Sequence, residues 1–321
     1  MKLRWLIPIT ILVVLIASIA IIIGLGSTTH KSLTVPITTK SSKLPSSNHL
    51  PKTPSNQLTS LDHIFIIVEE NKPLNSIINN PSASYINYLA KRYALATNYY
   101  AVAHPSLPNY LALTSGSTDG ISTDCNPPSA GCEVNVQNIA DQIKASGRTW
   151  KEYAESMPSN CYAYNSGEYV TKHNPFIYYT DIINNPKRCQ ADVVPFSQLK
   201  TDLQSVSTTP NYAFITPNVC NDMHDCSVSI GDTWLQQNVP MILNSKAFTT
   251  QNSLLIITWD EGYATTNHVA TLLIGSNVKQ GLQLTGNYSH YSLLHTIENA
   301  WGLPPLTNSV TQSPVVKDFL N

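Results

Sequence analysis

Three apolar runs in this chain each end in side chains that bind metal ions or move protons. Residues 63–68 (HIFIIV) are followed by Glu69-Glu70-Asn71, and residues 254–259 (LLIITW) by Asp260-Glu261-Gly262. Residues 212–216 (YAFIT) lead into Pro217-Asn218 and then Asn221-Asp222-Met223-His224-Asp225. Glu70, Asn71, Asp260 and Glu261 together offer hard oxygen donors. If the runs are neighbouring strands, their carboxylates converge and repel unless a cation or a proton shares the site. Taken alone, Glu-Glu-Asn also suits a helix N-terminus, where acidic residues favour the dipole, and Asp and Asn are common in turns. Three such ends in one chain favour a site.

A second constellation is His104-Pro105-Ser106-Leu107-Pro108-Asn109-Tyr110, with two prolines restricting the backbone around Ser106 and a helical start at residues 110–114 (YLALT). A serine at a helix N-terminus has backbone N–H groups and the positive dipole end aimed at it, a cradle for phosphate. Helix capping is the simpler reading from spacing alone. His173, His224 and His268 stand near these segments. Histidine can neutralise a phosphate oxygen or protonate a leaving group. His224 draws most notice, because Cys220 and Cys226 flank its short loop.

These residues need strands to carry them. The runs at 63–68, 212–216, 254–259 and 269–274 are short, continuous and apolar, and helical spacing occurs at 85–93, 136–146, 196–206 and 289–301. That alternation predicts an α/β domain over residues 61–321 whose sheet is covered on both faces. Open α/β sheets bind ligands at the carboxyl ends of their strands, where the acidic and amide groups fall.

The chain carries 19 basic and 20 acidic residues, a net charge of −1, with 12% of residues charged and 42% apolar. It shows no basic stripe, so no nucleic-acid partner is expected. Nor does anything point to an obligate protein partner. Lys2 and Arg4 precede an uncharged, mainly apolar run to Gly26, long enough for a transmembrane anchor with the rest outside. Cleavage as a signal would instead release the protein. Residues 27–60, rich in Ser, Thr, Pro and Lys, predict a stalk. Six cysteines in an exported domain predict disulfides, and nearest neighbours give Cys125–Cys132, Cys161–Cys189 and Cys220–Cys226. No Cys-x-x-Cys pair occurs, so zinc–thiolate ligation is not expected.

Glu70-Asn71, Ser106-Leu107-Pro108-Asn109, Asp260-Glu261-Gly262 and Asn267-His268-Val269, in this order, resemble the phosphoesterase family of AcpA-type acid phosphatases and non-specific phospholipases C. The resemblance implies an alkaline-phosphatase-like fold, a central sheet between helix layers, preceded here by the N-terminal helix. It implies Ser106 as nucleophile and one divalent metal held by Glu70, Asn71, Asp260, Glu261 and Ser106. By hardness that metal is Mg²⁺, Ca²⁺ or Mn²⁺, with Zn²⁺ used by relatives. Asn109 and His104 match substrate-binding positions, and His173, His224 and His268 fall near the phosphate. The phospholipase branch carries Thr-x-Pro-Asn-Arg, whereas this chain has Ser106 and Tyr110 at the first and last positions, and its Gly-x-Arg-Val-Pro element is absent from Gly275-Ser276-Asn277-Val278-Lys279. The sulfatase motif's arginine is likewise replaced by Tyr110. These departures favour an extracytoplasmic acid phosphatase acting on phosphomonoesters through a phosphoserine. A phospholipase C and a non-catalytic cell-surface binding protein are the alternatives.

Overall fold

Residues 63–69 (β1, His63–Glu69) form a central strand with every residue buried, as a continuous β-branched run must when both faces are covered. The structure, a computed structural model, describes Leu58 and residues 61–129, 131–263 and 265–321. The segments read as anchor or signal (1–26) and, apart from Leu58, as stalk (27–60) lie outside them. Leu58 itself is buried, and its carbonyl accepts from the Leu61 amide. Among the described residues no helix is long and apolar enough to cross a membrane.

The other strands are β2 (Ala94–Tyr100), β3 (Trp150–Ala154), β4 (Val193–Pro195), β5 (Tyr212–Thr216), β6 (Ser253–Trp259), β7 (His268–Ile274), β8 (Gln283–Leu284) and β9 (Tyr288–Ser289). The sheet order is β4-β3-β5-β1-β6-β7-β2-β8, with β9 also paired to β2. β7 is antiparallel to both β6 and β2, and the other pairings are parallel. The start of this reversed strand, Asn267-His268, therefore reaches the same edge as the carboxyl ends of β5, β1 and β6.

Alternation along β1 assigns its two faces. On one face the Phe65 ring lies 5.5 Å from Phe248. On the other, Ile64 and Ile66 stand in register with Tyr212 and Phe214, whose rings meet Trp301 and Tyr110. Helices thus flank both sides of a mixed sheet.

Four strands match the apolar runs to within a residue or two, whereas β2, β3 and β4 carry no such run. β2 (ALATNYY) mixes polar and apolar residues, because its outer half is only partly buried. The helix expected over 196–206 is a 3₁₀ turn (Phe196–Gln198) followed by a single turn, Leu199–Asp202. The longest helix among the described residues, Val228–Leu243, contains Pro240 and Gly231, two residues that obscure helical periodicity in a sequence. Gly231 permits a close approach: a Cβ there would lie 2.5 Å from the Met223 side chain and 2.8 Å from the Asn221 carbonyl. The helix therefore presses directly on the loop that carries His224.

The helix His290–Trp301 buries Glu298, whose Oε1 accepts from the Leu306 amide while Oε2 has no partner. Burial raises its pKa to about 7, against hydrogen bonds that lower it. The folded state therefore favours the protonated form, and the stability this lends is complete at low pH and lost as pH rises through about 7. Glu298→Gln mimics the protonated form. It is expected to raise Tm by about 3–6 °C at pH 8 and by much less at pH 5. Equal shifts at both pH values in calorimetry would show that the carboxyl does not titrate in this range.

Candidate active site

The register of the central strands brings the acidic residues together. Glu69 pairs with Trp259 at the end of the β1–β6 ladder, and the Asp260 amide continues it by donating to the Glu69 carbonyl. Glu70 and Asp260 are thus the first pair beyond the sheet. The Glu70 amide donates to the Asp222 carbonyl at 2.8 Å, which draws in the loop after β5. Asn71 turns the chain with φ 54°, a left-handed conformation that asparagine tolerates. Its amide donates to Asp260 Oδ1 at 3.0 Å and its Nδ2 to Glu70 Oε2 at 2.9 Å.

The helix Ser106–Ser115 brings the hydroxyls. Its N-cap is Pro105, and no side chain caps it, so Ser106 is not used as a cap. Ser106 Oγ instead donates to Glu70 Oε2 at 3.1 Å. Tyr110, one turn on and on the same face, donates to Glu70 Oε1 at 2.5 Å. Tyr110, where the phospholipase motif has arginine, thus binds a site carboxylate.

His173 packs against Tyr110, ring centroids 5.5 Å apart. Its Nε2 lies 3.3 Å from Glu70 Oε1 and its Nδ1 3.0 Å from Asp222 Oδ2. Neither approach has hydrogen-bonding geometry, so both ring nitrogens and Asp222 Oδ2 are buried without hydrogen-bond partners. Asp260 Oδ2 is in the same condition. Next to them Lys172 Nζ donates to Asp124 Oδ2 and to His224 Nε2, each at 3.1 Å. An ammonium can only donate, so His224 Nε2 accepts and its Nδ1–H donates to Asp225 Oδ1 at 2.6 Å.

The electrostatics follow from this crowding. Burial raises the Glu70 pKa well above the carboxylate range, and Asp260 and Asp222 add to it while Tyr110 and Lys172 oppose it. Burial also raises Asp222, and it lifts Asp260 to about 7 with help from Glu261. Burial, then Lys172 and His224, hold His173 well below its usual value. For Lys172 burial disfavours the charge, but Glu70 and Asp124 outweigh it and its pKa is raised. Three buried carboxylates around unpartnered acceptors form a set that a divalent cation fits. Glu70, His173 and His224 also offer ligand atoms within 4.8 Å of one another.

A buried serine hydroxyl thus stands beside a carboxylate cluster at the carboxyl ends of the parallel strands β5, β1 and β6, and the family model for the Phosphoesterase family matches residues 78–304. The chain belongs to the phosphoesterase family. Like the relatives below, it is a phosphoric ester hydrolase. It is 34% identical over 264 residues to a phosphatidylinositol-3-phosphatase of Mycobacterium tuberculosis, covering 82% of this chain and 84% of that one. It is 34% identical over 234 residues to a phosphate-repressible acid phosphatase of Penicillium chrysogenum, covering 69% of this chain and 55% of that one. The chain thus spans about half the length of that fungal relative. Among solved structures it is similar to a Vibrio parahaemolyticus protein of the alkaline phosphatase superfamily, TM-score 0.58 at 12% identity, covering 81% of this chain and 72% of that one. The α/β fold, with its central mixed sheet and flanking helices, is of that superfamily's kind.

In this phosphoesterase the remaining site candidates stand apart from the Glu70 cluster to different degrees. Glu261 pairs through Oε2 with Nδ1 of half-exposed His104, and burial, then Asp124, lift its pKa to about 7. The Asn109 amide is fully engaged with the loop before Ser106. Its oxygen accepts from the Val102 and Ala103 amides, and its nitrogen donates to the Ala103 and Pro105 carbonyls. His268 Nε2 lies 2.9 Å from the Thr97 carbonyl, and its ring stacks on Tyr100. The six cysteines form Cys125–Cys132, Cys161–Cys189 and Cys220–Cys226, the last closing the His224 loop.

Sequence reasoning did not assign Asp222, Lys172, Tyr110 or Asp124 to the site. Asp222 and Lys172 lie beside histidines already singled out, which is a usable signal. Asp124 carries none: its proximity comes from Oδ1 accepting the Leu107 amide at 3.2 Å.

Proposed function

We propose that this phosphoesterase is an extracytoplasmic, metal-dependent acid phosphatase that cleaves phosphomonoesters through a phosphoserine on Ser106. The observation that carries this reading is the Ser106 hydroxyl held 3.1 Å from Glu70 Oε2 among the buried carboxylates. The names of the relatives, acid phosphatase and phosphatidylinositol-3-phosphatase, are both those of phosphatases and support the substrate class. Three disulfides suit an oxidising compartment.

Glu70, Asp260, Asp222 and His173 are the residues that would hold the metal. When bound, it would neutralise charge on the phosphoryl oxygens and on the serine oxygen. The mixed oxygen and imidazole set suits Zn²⁺ or Mn²⁺ better than Ca²⁺. Ser106 Oγ attacks phosphorus as its proton goes to Glu70 Oε2, and the ester oxygen departs with the electrons of the broken P–O bond. Water then attacks the phosphoserine, releases phosphate and restores Ser106. Lys172 supplies the fixed positive charge that faces the phosphoryl oxygens. His224 orients Lys172 through the Nε2 lone pair, and it can protonate the leaving alcohol only once that contact has opened and Nε2 has taken up a proton from solvent.

The test is hydrolysis of p-nitrophenyl phosphate, its bis-ester and phosphatidylcholine at pH 5 and pH 8, with and without a chelator. The monoester should be cleaved fastest, more rapidly at pH 5, and chelation should abolish turnover. Faster release from phosphatidylcholine would replace this reading with a phospholipase.

A further inference from the structure

The strand directions give the sheet two edges of opposite charge. Glu70, Asp124, Asp222, Asp225, Asp260 and Glu261 gather at the carboxyl edge, with Lys72 and Lys172 beside them. β1 is seven residues long, so the amino edge lies about 20 Å away. There, along the stretch from β1 to β8, the balance reverses. Lys91 and Arg92 lead into β2, Lys246 opens the short helix ahead of β6, and Lys279 follows the reversed strand β7. Lys317 joins them because the last residues of the chain pair with the segment after β7. The Lys279 amide donates to the Phe319 carbonyl and the Asn321 amide to the Asn277 carbonyl, each at 2.8 Å. Asp62 and Asp318 are the acids along this stretch. Because distant segments assemble the patch, it leaves no basic stripe in the sequence.

These cations face solvent unpaired. Lys91, Arg92, Lys246 and Lys317 are exposed, and among the described residues none of the five forms an ion pair. Lys279 Nζ donates only to the Asp318 carbonyl, at 2.7 Å. The Arg92 guanidinium lies 5.7 Å from the centre of the Tyr93 ring. One helical turn before Lys91, Tyr88 is 54% exposed, with its ring stacked on Tyr85. A tyrosine has an apolar body and a polar tip, which suits the headgroup layer of a bilayer. At physiological salt the screening length is about 8 Å, so the acidic edge, more than two such lengths away, does not cancel the field of the basic one. The sequence ahead of β1 has the same sign: residues 27–60 hold four lysines, and no Asp or Glu precedes Asp62. Before them comes the apolar run to Gly26, of a length that suits a bilayer.

We infer that the amino edge of the sheet is a docking surface for a bilayer bearing anionic phospholipid, with the basic side chains at the lipid phosphates and Tyr88 in the headgroup layer. Docked this way, the carboxyl edge and Ser106 open toward water on the far side of the domain. The phosphatase proposed above then acts on water-soluble monoesters rather than on lipids of the bilayer it rests on.

Lysine footprinting of the full chain tests this. The protein is mixed with vesicles of phosphatidylcholine alone or of equal parts phosphatidylcholine and phosphatidylglycerol, then acetylated briefly and read by mass spectrometry. Lys91, Lys279 and Lys317 should react about fivefold more slowly on the anionic vesicles, the worth of bringing one lysine to such a surface. Raising NaCl to about 1 M, where the screening length is about 3 Å, should remove the difference. Lys200, exposed in the segment after β4 at the other side of the sheet, should react alike on both. Arg92→Glu with Lys279→Glu should abolish the protection of Lys91 and Lys317. Equal labelling on the two vesicles, or protection of Lys200 to the same degree, would overturn the inference. Protection by soluble dextran sulfate but not by the anionic vesicles would replace the bilayer with an anionic polymer. The footprint reads no turnover, so its failure leaves the phosphatase reading standing, and an inactive protein that is still protected keeps the docking surface without it.

Discussion

Ser106→Ala is expected to fold as the wild type does and to lose at least ~10³-fold in kcat, the scale of losing a central catalytic group. The folding half of this expectation follows from the helix start. Pro105, not Ser106, occupies the N-cap, and the Ser106 hydroxyl makes its hydrogen bond to Glu70 alone. Removing it costs no cap, and alanine is a good residue for a first helical turn. The catalytic half follows from position: a hydroxyl at the N-terminus of a ten-residue helix, 1% exposed, with its proton aimed at a carboxylate. An acid-quenched reaction should yield a phosphopeptide containing Ser106 from the wild type and none from the variant. A variant keeping more than about a tenth of wild-type turnover would exclude Ser106 as nucleophile.

The second large effect separates two adjacent glutamates. Glu70→Gln should lose its bound divalent metal and fall at least ~10²-fold in activity, because it removes the carboxylate whose Oε2 accepts from Ser106 and Asn71 and whose Oε1 accepts from Tyr110. Glu69→Gln should keep both metal and activity. Glu69 is equally buried, but it points to the opposite sheet face, where both of its oxygens lack hydrogen-bond partners. Burial raises its pKa well above the carboxylate range, with Asp222, Glu155 and Asp232 adding to the shift. The shift favours the protonated form of Glu69, and glutamine imitates that form. Elemental analysis of the two purified variants decides the matter: metal retained in Glu70→Gln with full activity would sink the proposed ligand role.

Local patterns in the chain were enough to determine an α/β domain with acidic and amide groups at strand ends and a serine opening a helix. Burial on both faces leaves a continuous apolar run in the sequence, as in β1 and β6. Strands with mixed or short patterns, such as β2 and β4, left no such mark. Which residues meet was decided by long-range pairing. The Glu69–Trp259 register and the pleat of β1 together select Glu70 over Glu69 to face Ser106. One backbone hydrogen bond, from the Glu70 amide to the Asp222 carbonyl, recruits an aspartate 152 positions along the chain. Among the histidines, His173 sits in the cluster because it packs on Tyr110, while His268 is held away by the Thr97 carbonyl and the Tyr100 ring. Side-chain period is written in the order of residues, but strand register and loop closure depend on packing between segments far apart in the chain. Only the folded molecule could therefore distinguish these otherwise similar glutamates and histidines.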